Sequence, residues 1–342
     1  MNRTSAYALV ILIGLYTASC AKKNKSTEAP SPTTDTTNTT ETSTATDTGT
    51  ATDMGTSEET TPGTDATKPP VNVGLSTQSL VHNQVTREYL VYVPASYDGS
   101  TAVPLMLNFH GFGGYMQQHM QTADMRSLAD AEQFLLVYPQ GTLLDGFPHW
   151  NTAPPGGDNK SSADDLGFMD ALLASLTNTY NIDANRVYAT GYSNGADFTY
   201  TLACYRSDKI TGIAPVSGLM DSEPETYCTP SHPTSVIIMH GTADFDRPYD
   251  GYPGYLLSIP AAIAYWNAQN NISGEATTTT FTNGGNAIER LQYTGGTGGA
   301  ALTHYKVIGG GHIWFNFSDE GVSANRLIWN FLSQFNRDGS RG

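Results

Sequence analysis

Positive charge is scarce in this chain. Its 342 residues carry 17 Lys and Arg against 32 Asp and Glu, a formal net charge of −15. A field of that sign repels nucleic acid phosphates and anionic lipid surfaces, which excludes nucleic acid and leaves neutral polymers and small neutral molecules as partners. Long apolar runs are also lacking. Ala6 to Ala18 is almost wholly apolar, yet it falls short of the ~20 residues that a bilayer-spanning helix needs. No His-Glu-x-x-His or similar metal-ligand spacing occurs, and neither a phosphate loop nor a dinucleotide fingerprint is present. The glycine-rich run Gly295-Gly296-Thr297-Gly298-Gly299 follows a strand-like stretch but opens no helix, so it reads as a turn. No metal or cofactor is implied. Cysteine is limited to 3 residues.

The first twenty residues read as an export signal, with Asn2-Arg3 ahead of the apolar run. They end in Thr17-Ala18-Ser19-Cys20, which resembles the lipobox of bacterial lipoproteins, although Thr17 stands where Leu is usual. Two outcomes follow: Cys20 carries a lipid anchor at the outer membrane or cell surface, or ordinary cleavage removes it and the protein is secreted. Residues 21–70 are Thr-, Asp- and Pro-rich with almost no large apolar side chains, and they repeat Ala-Thr-Asp-x-Gly-Thr from Ala45 and from Ala51. Such a stretch cannot bury enough apolar area to offset ordering at ~1–2 kcal/mol per residue, and is expected to be a solvated tether. Residues 71–342 remain for one folded domain, expected to act as a monomer. With Cys20 set aside, Cys204 and Cys228 form either one disulfide or two separate buried thiols.

Strand and helix signals alternate through that domain. Val85–Val93 alternates and is closed by Pro94. "PLMLNFHG" (104–111), "FLLVYPQG" (134–141), "ITGIAPVSG" (210–218) and "SVIIMHGTAD" (235–244) are nearly continuous apolar runs, as strands buried on both faces require. Helices are expected over Thr122–Glu132, over Ser162–Tyr180 with Ser162 and Asp165 as its start signal, over Gly195–Ala203, over 259–270 and over 323–335. Residues 287–312 read as two strands about the glycine-rich turn. The pattern predicts an α/β fold with a mostly parallel central sheet flanked by helices on both faces. Ligands of such sheets bind outside the carboxyl ends of the strands.

"RVYATGYSNGADFTY" (186–200) places Gly191-Tyr192-Ser193-Asn194-Gly195 where a strand gives way to a helix. A turn that sharp strains its central residue, and the glycines supply room against neighbouring backbone. It presents Ser193 as a nucleophile. The partners follow in the order acid, then histidine: Asp244 just past a buried strand, and His312 in the glycine loop "VIGGGHIW". His312 would take the Ser193 proton, and Asp244 would fix the imidazole tautomer. Asp246 is a competing acid. The N–H groups of Asn194 and of Phe112, in "NFHGFGG", would hold the oxyanion. His304 reads as structural, His240 and His110 as locally bonded, and Ser217 lacks the glycine pair. His82, His119, His149 and His232 receive no role. Trp150 and Trp314 are either substrate contacts or packed anchors, whereas Trp266 and Trp329 fall on helices as core.

"LNFHGFGG", "DDLGFMDALL", "NIDANRVYATGYSNGADFTYTLAC", "IAPVSGLM", "VIIMHGTAD", "GGGHIW" and "RLIWNFL" together resemble the secreted esterases that include polyhydroxybutyrate depolymerase-like proteins, feruloyl esterases and acetyl xylan esterases. The resemblance covers most of residues 85–335. It implies an α/β-hydrolase fold, Ser193, Asp244 and His312 as the triad, and a Cys204–Cys228 disulfide. The chain departs from that pattern at Phe112, where cysteine is frequent, at His149 beside Trp150-Asn151, at Phe315-Asn316 and at Arg247. These positions flank the cleft and bear on substrate choice. The expected function is an exported serine esterase acting on an extracellular polymer, first on feruloyl or acetyl esters of xylan. The alternatives are a polyester depolymerase and, from another class, a surface binding lipoprotein without catalysis. A peptidase of the same fold usually adds a propeller or cap, for which there is no room.

Overall fold

Helices and strands alternate through most of the computed structural model, which describes residues 72–153, 157 and 159–341. The export signal, Cys20 and the tether at 21–70 lie outside the described residues. Ten strands form one sheet: β1 (Gly74–His82), β2 (Val85–Val93), β3 (Val103–Phe109), β4 (Leu135–Pro139), β7 (Ile182–Tyr192), β8 (Gly212–Val216), β9 (Ser235–Gly241), β10 (Thr277–Asn283), β11 (Asn286–Tyr293) and β12 (Leu302–Val307). A separate hairpin is made by β5 (Thr142–Leu144) and β6 (Phe147–His149). The sheet order is β1-β2-β4-β3-β7-β8-β9-β12-β11-β10. From β4 to β12 the neighbours pair parallel, while β1, β2, β10 and β11 extend the two edges antiparallel.

The continuous apolar runs are explained by layers on both sides. Within β3, Leu105, Leu107 and Phe109 enter the core under α3 (Asp165–Thr179), α4 (Asn194–Tyr205) and α5 (Ile259–Gln269), whereas Met106 faces the opposite core. That second core is closed by α1 (Met116–Thr122), α2 (Arg126–Glu132) and α6 (Ala324–Leu332). This is the α/β-hydrolase architecture. A disulfide joins Cys204 at the end of α4 to Cys228 in the segment after β8.

Some local expectations need correcting. The helix expected over Thr122–Glu132 is two short helices broken at Ala123–Met125, because the backbone is non-helical at Ala123 (φ −114, ψ 48) and at Met125 (φ −115, ψ 12). The third helix is capped by Asp164, whose side chain accepts from Gly167 N–H, and not by Ser162. Polar β1 and the Thr-rich β10 carry no continuous apolar run, since each is an edge strand packed on one side only.

Candidate active site

One residue separates β7 from α4, and it is Ser193. Its backbone adopts φ 55, ψ −122, a conformation that costs a non-glycine residue about 1–3 kcal/mol and is kept only where the surroundings enforce it. The surroundings are visible. A Cβ on Gly195 would lie 2.4 Å from the Phe109 carbonyl oxygen and 2.5 Å from that of His110. A Cβ on Gly191 would lie 2.5 Å from the Gly195 oxygen. Both glycines are therefore required by backbone of β3 and α4 packed against the turn.

Two further loops converge on this serine. The segment after β9 carries Asp244 and the segment after β12 carries His312. They cross so closely that a Cβ on Gly241 would meet the Gly310 oxygen at 2.1 Å. Ala243 N–H donates to Gly310 O (2.9 Å) and Gly309 N–H to Thr242 Oγ1 (2.8 Å), which ties the loops together. Two hydroxyls pin the histidine loop from beneath: Tyr192 to His312 O (2.9 Å) and Ser217 to Ile313 O (2.8 Å). Burial pushes the Tyr192 phenol up to about 12, so it remains a donor.

Asp244 Oδ2 lies 2.8 Å from His312 Nδ1, and His312 Nε2 lies 2.8 Å from Ser193 Oγ. An ionised carboxylate only accepts, so Nδ1 carries the proton, and neutral Nε2 accepts from the serine hydroxyl. The other Asp244 oxygen accepts from Asp246 N–H (3.0 Å) and Arg247 N–H (2.8 Å). Burial pushes the Asp244 carboxyl up, but the hydrogen bonds from His312 and Arg247 outweigh it and hold the group below the usual range. Asp246 is not the histidine's partner; it contributes that N–H and lines the cavity. The Arg247 guanidinium spans to Asp197 on α4 (2.8 Å), strapping the acid loop to the helix that begins at the nucleophile.

The cavity over Ser193 measures about 430 Å³ and is walled by Gly111, Phe112, His149, Trp150, Lys160, Tyr192, Asn194, Asp246, Arg247 and His312. Asn194 opens α4, so its N–H is one of the helix's orphan donors. In the facing loop, Gly113 N–H goes to Pro148 O and Gly114 N–H to Gly111 O, while among the described residues Phe112 N–H has no protein acceptor. Phe112 and Asn194 line the same cavity as Ser193, which makes their N–H groups the candidate oxyanion donors.

Trp150 lines the cavity but is only 2 % exposed: its Nε1 donates to His110 O (3.0 Å) and its ring stacks on Phe198. Trp314 is not among the residues that line this cavity. It is buried edge-on against His119, with Nε1 donating to Asn325 Oδ1 (2.9 Å), so of the two roles open to it the structure shows the packed anchor and not the substrate contact. His304 is fully buried between Tyr249 and the Ile238 carbonyl. His240 donates to Arg247 O (2.7 Å), and His149 bridges Thr142 O and Ser161.

A support network escaped the sequence. Trp150 and Asn194 bond reciprocally: Trp150 N–H donates to Asn194 Oδ1 (2.8 Å) and Asn194 Nδ2 donates to Trp150 O (3.0 Å). The next residue, Asn151, donates its N–H to Asp165 Oδ2 (2.9 Å), and Asp165 Oδ1 accepts from Arg87 (2.7 Å). Both charged side chains are almost wholly buried, and Arg87 also lies 3.9 Å over the Phe168 ring. On the other wall, neutral His110 donates from Nδ1 to Gly111 O (2.7 Å) and accepts Gly141 N–H at Nε2 (2.9 Å), fixing the Phe112 loop. Burial lowers its pKa to about 4. A charged residue inside the otherwise apolar alternation of β2 was the one available signal for Arg87.

No family model matches the chain. It is 30 % identical over 252 residues to "Putative esterase NocK" of Nocardia uniformis, covering 67 % of this chain and 71 % of that protein. Identity to the bifunctional acetylxylan esterase/xylanase XynS20E of Neocallimastix patriciarum is 28 % over 257 residues, 74 % of this chain but 34 % of that longer protein. Feruloyl esterase D of Neurospora crassa is 26 % identical over 272 residues, 74 % of this chain and 84 % of its own length. Among solved structures, the acetyl xylan esterase of Aspergillus awamori superposes with a TM-score of 0.52 at 16 % identity, over 70 % of this chain and 94 % of that one, a likeness of fold.

Proposed function

The chain belongs to the esterases of α/β-hydrolase fold that include feruloyl and acetyl xylan esterases, and from that premise we propose that it hydrolyses esters carried by an extracellular polymer through Ser193, His312 and Asp244. The observation that carries the reading is the unbroken hydrogen-bonded line from Asp244 through His312 to Ser193 at the floor of the cavity. Ser193 Oγ attacks the ester carbonyl while its proton passes to His312 Nε2. Asp244 stays ionised and stabilises the imidazolium. The carbonyl oxygen becomes negative and is held by the N–H groups of Phe112 and Asn194; losing one such donor usually costs ~3–4 kcal/mol of transition-state stabilisation. Collapse expels the alcohol, which takes the proton from His312 and leaves an acyl-enzyme. Water then attacks the acyl carbon, giving its proton to His312, and the returning proton frees Ser193 as the carboxylic acid departs.

The acyl group we assign first is feruloyl or acetyl on xylan, from the relatives' own activities. A second reading, an aliphatic polyester, is supported by Phe112, which walls the cavity and stacks on the exposed Phe147. The Cys204–Cys228 disulfide supports an oxidising compartment, in keeping with export and with either a Cys20 anchor or release. Hydrolysis of methyl ferulate, acetylated xylan and hydroxybutyrate oligomers by the wild type, against Ser193→Ala, ranks these substrates. Folded protein inactive on all three would leave the binding-lipoprotein alternative and end the esterase proposal.

A further inference from the structure

Residues 242–248, which carry Asp244, belong to no helix or strand, so their shape is set by individual hydrogen bonds. Arg247 makes several of them. Its N–H donates to Asp244 Oδ1 (2.8 Å), its carbonyl accepts from His240 Nε2 (2.7 Å), and its Nη1 donates to Asp246 O (3.1 Å). Its guanidinium then leaves the loop and grips Asp197 Oδ2 with Nε (3.0 Å) and Nη2 (2.8 Å). We propose that Arg247 is a positioning residue for ester hydrolysis: clamped to Asp197, it fixes the turn that aims the Asp244 carboxylate at His312. The inference rests on the esterase reading, because it concerns how the triad of that reading is held.

The anchor is the first argument. Asp197 lies in the first turn of α4, and its N–H donates to Ser193 O (2.9 Å), so the clamp ends on the turn of helix that presents the nucleophile. Its other oxygen, Oδ1, accepts from Leu219 N–H (2.8 Å) in the segment after β8. One carboxylate thus joins the loops after β8 and β9 to the helix after β7. The side chains of Arg247 and Asp197 are 22 % and 7 % exposed, so solvent screens this pair less than one on the open surface. Orientation is the second argument. The last torsion of an aspartate is soft, and the Asp244 carboxylate must be turned so that Oδ2 meets His312 Nδ1. The two N–H groups on Oδ1 set that turn, and the shorter bond comes from Arg247. That N–H is in turn placed from both sides of its residue, by the guanidinium on Asp197 and by the carbonyl on His240. Burial lowers the His240 pKa, so the ring stays neutral and donates from Nε2. A planar guanidinium fork fixes direction as well as distance, which an ammonium does not.

The test is steady-state hydrolysis of two soluble p-nitrophenyl esters that differ in acyl length, by variants of the full chain. Arg247→Met and Asp197→Asn are each expected to lower kcat about ten- to hundredfold, as small misplacements of a catalytic group do. KM should be nearly unchanged, and the fall should be the same on both esters. Asp197 does not line the cavity over Ser193, so its effect cannot come from a lost substrate contact. Arg247→Lys should recover part of kcat, since it restores the charge without the fork. A double-mutant cycle separates positioning from general damage: added to Asp244→Asn, Arg247→Met should cost little more. Urea unfolding checks that each variant is folded, and the isosteric Asp197→Asn serves if Arg247→Met does not fold. Unchanged kcat in the single variants, a change in KM alone, or full additivity in the Asp244→Asn background would each overturn the inference while an active wild type leaves the esterase reading standing. A folded wild type inactive on both esters would sink that reading and this inference with it.

Discussion

Replacing Arg87 by methionine should damage the protein although Arg87 itself does not line the cavity. Arg87 and Asp165 are both almost wholly buried and 2.7 Å apart. Removing one member of such a pair leaves an uncompensated buried charge, at a cost of about 3–5 kcal/mol. Against a total stability of about 5–15 kcal/mol, that is a large fraction. Arg87→Met strands the Asp165 carboxylate with the Asn151 N–H. Asp165→Leu strands the guanidinium with the Gln140 carbonyl and the Phe168 ring. The double variant removes both charges, so its cost should fall well below the sum of the singles, leaving mainly the unpaired Asn151 N–H at about 1–3 kcal/mol. Urea unfolding of the four proteins with the disulfide intact measures this coupling. Activity supplies an independent readout, because Asn151 adjoins Trp150, whose backbone holds the Asn194 side chain. A fall in kcat in all three variants, including the more stable double, is expected. Additive stabilities, or singles that lose less than about 1 kcal/mol, would refute the claim that the pair acts as a unit.

Three other outcomes follow from the same geometry. Asp244→Asn should lower kcat by about ten-thousandfold through loss of the correct imidazole tautomer, whereas Asp246→Asn keeps the N–H that Asp244 uses and should stay within a few-fold; comparable losses would mean the acid is misassigned. Burial holds His110 at about 4 and His119 and His304 at about 3. Unfolded histidine takes up its proton near 6.5, so stability falls as pH drops below that value. The penalty is about 2 kcal/mol per residue at pH 5, and a flat stability profile from pH 7 to 5 would contradict it. Replacing Cys204 and Cys228 by serine opens a link across 24 positions and should cost about 3–4 kcal/mol in urea titrations; no loss would show that the bridge does not constrain the unfolded chain.

The parallel centre of the sheet is legible in the sequence because strands covered on both faces need apolar residues at every position, as in β3, β8 and β9. The turn at Ser193 is legible because only glycine tolerates the backbone at Gly191 and Gly195. Edge strands β1 and β10 are not, since one-sided packing leaves polar sequences with no distinctive run. Nor is the support behind the site. Arg87 lies 78 positions from Asp165 and meets it only through the fold, and Asp165 reaches back 14 positions to the Asn151 N–H. Trp314 shows the limit of proximity in sequence: two residues from His312, it reads as either a cleft position or a packed one, and the chain turns it inward against His119.

The central claim, that Ser193 is the nucleophile, is tested most directly by incubating the protein with a fluorophosphonate and locating the adduct by peptide mass spectrometry. The account predicts a single phosphonylated peptide containing Ser193, absent from Ser193→Ala and strongly slowed in His312→Ala. No adduct on folded wild type, or an adduct on Ser217 instead, would contradict it.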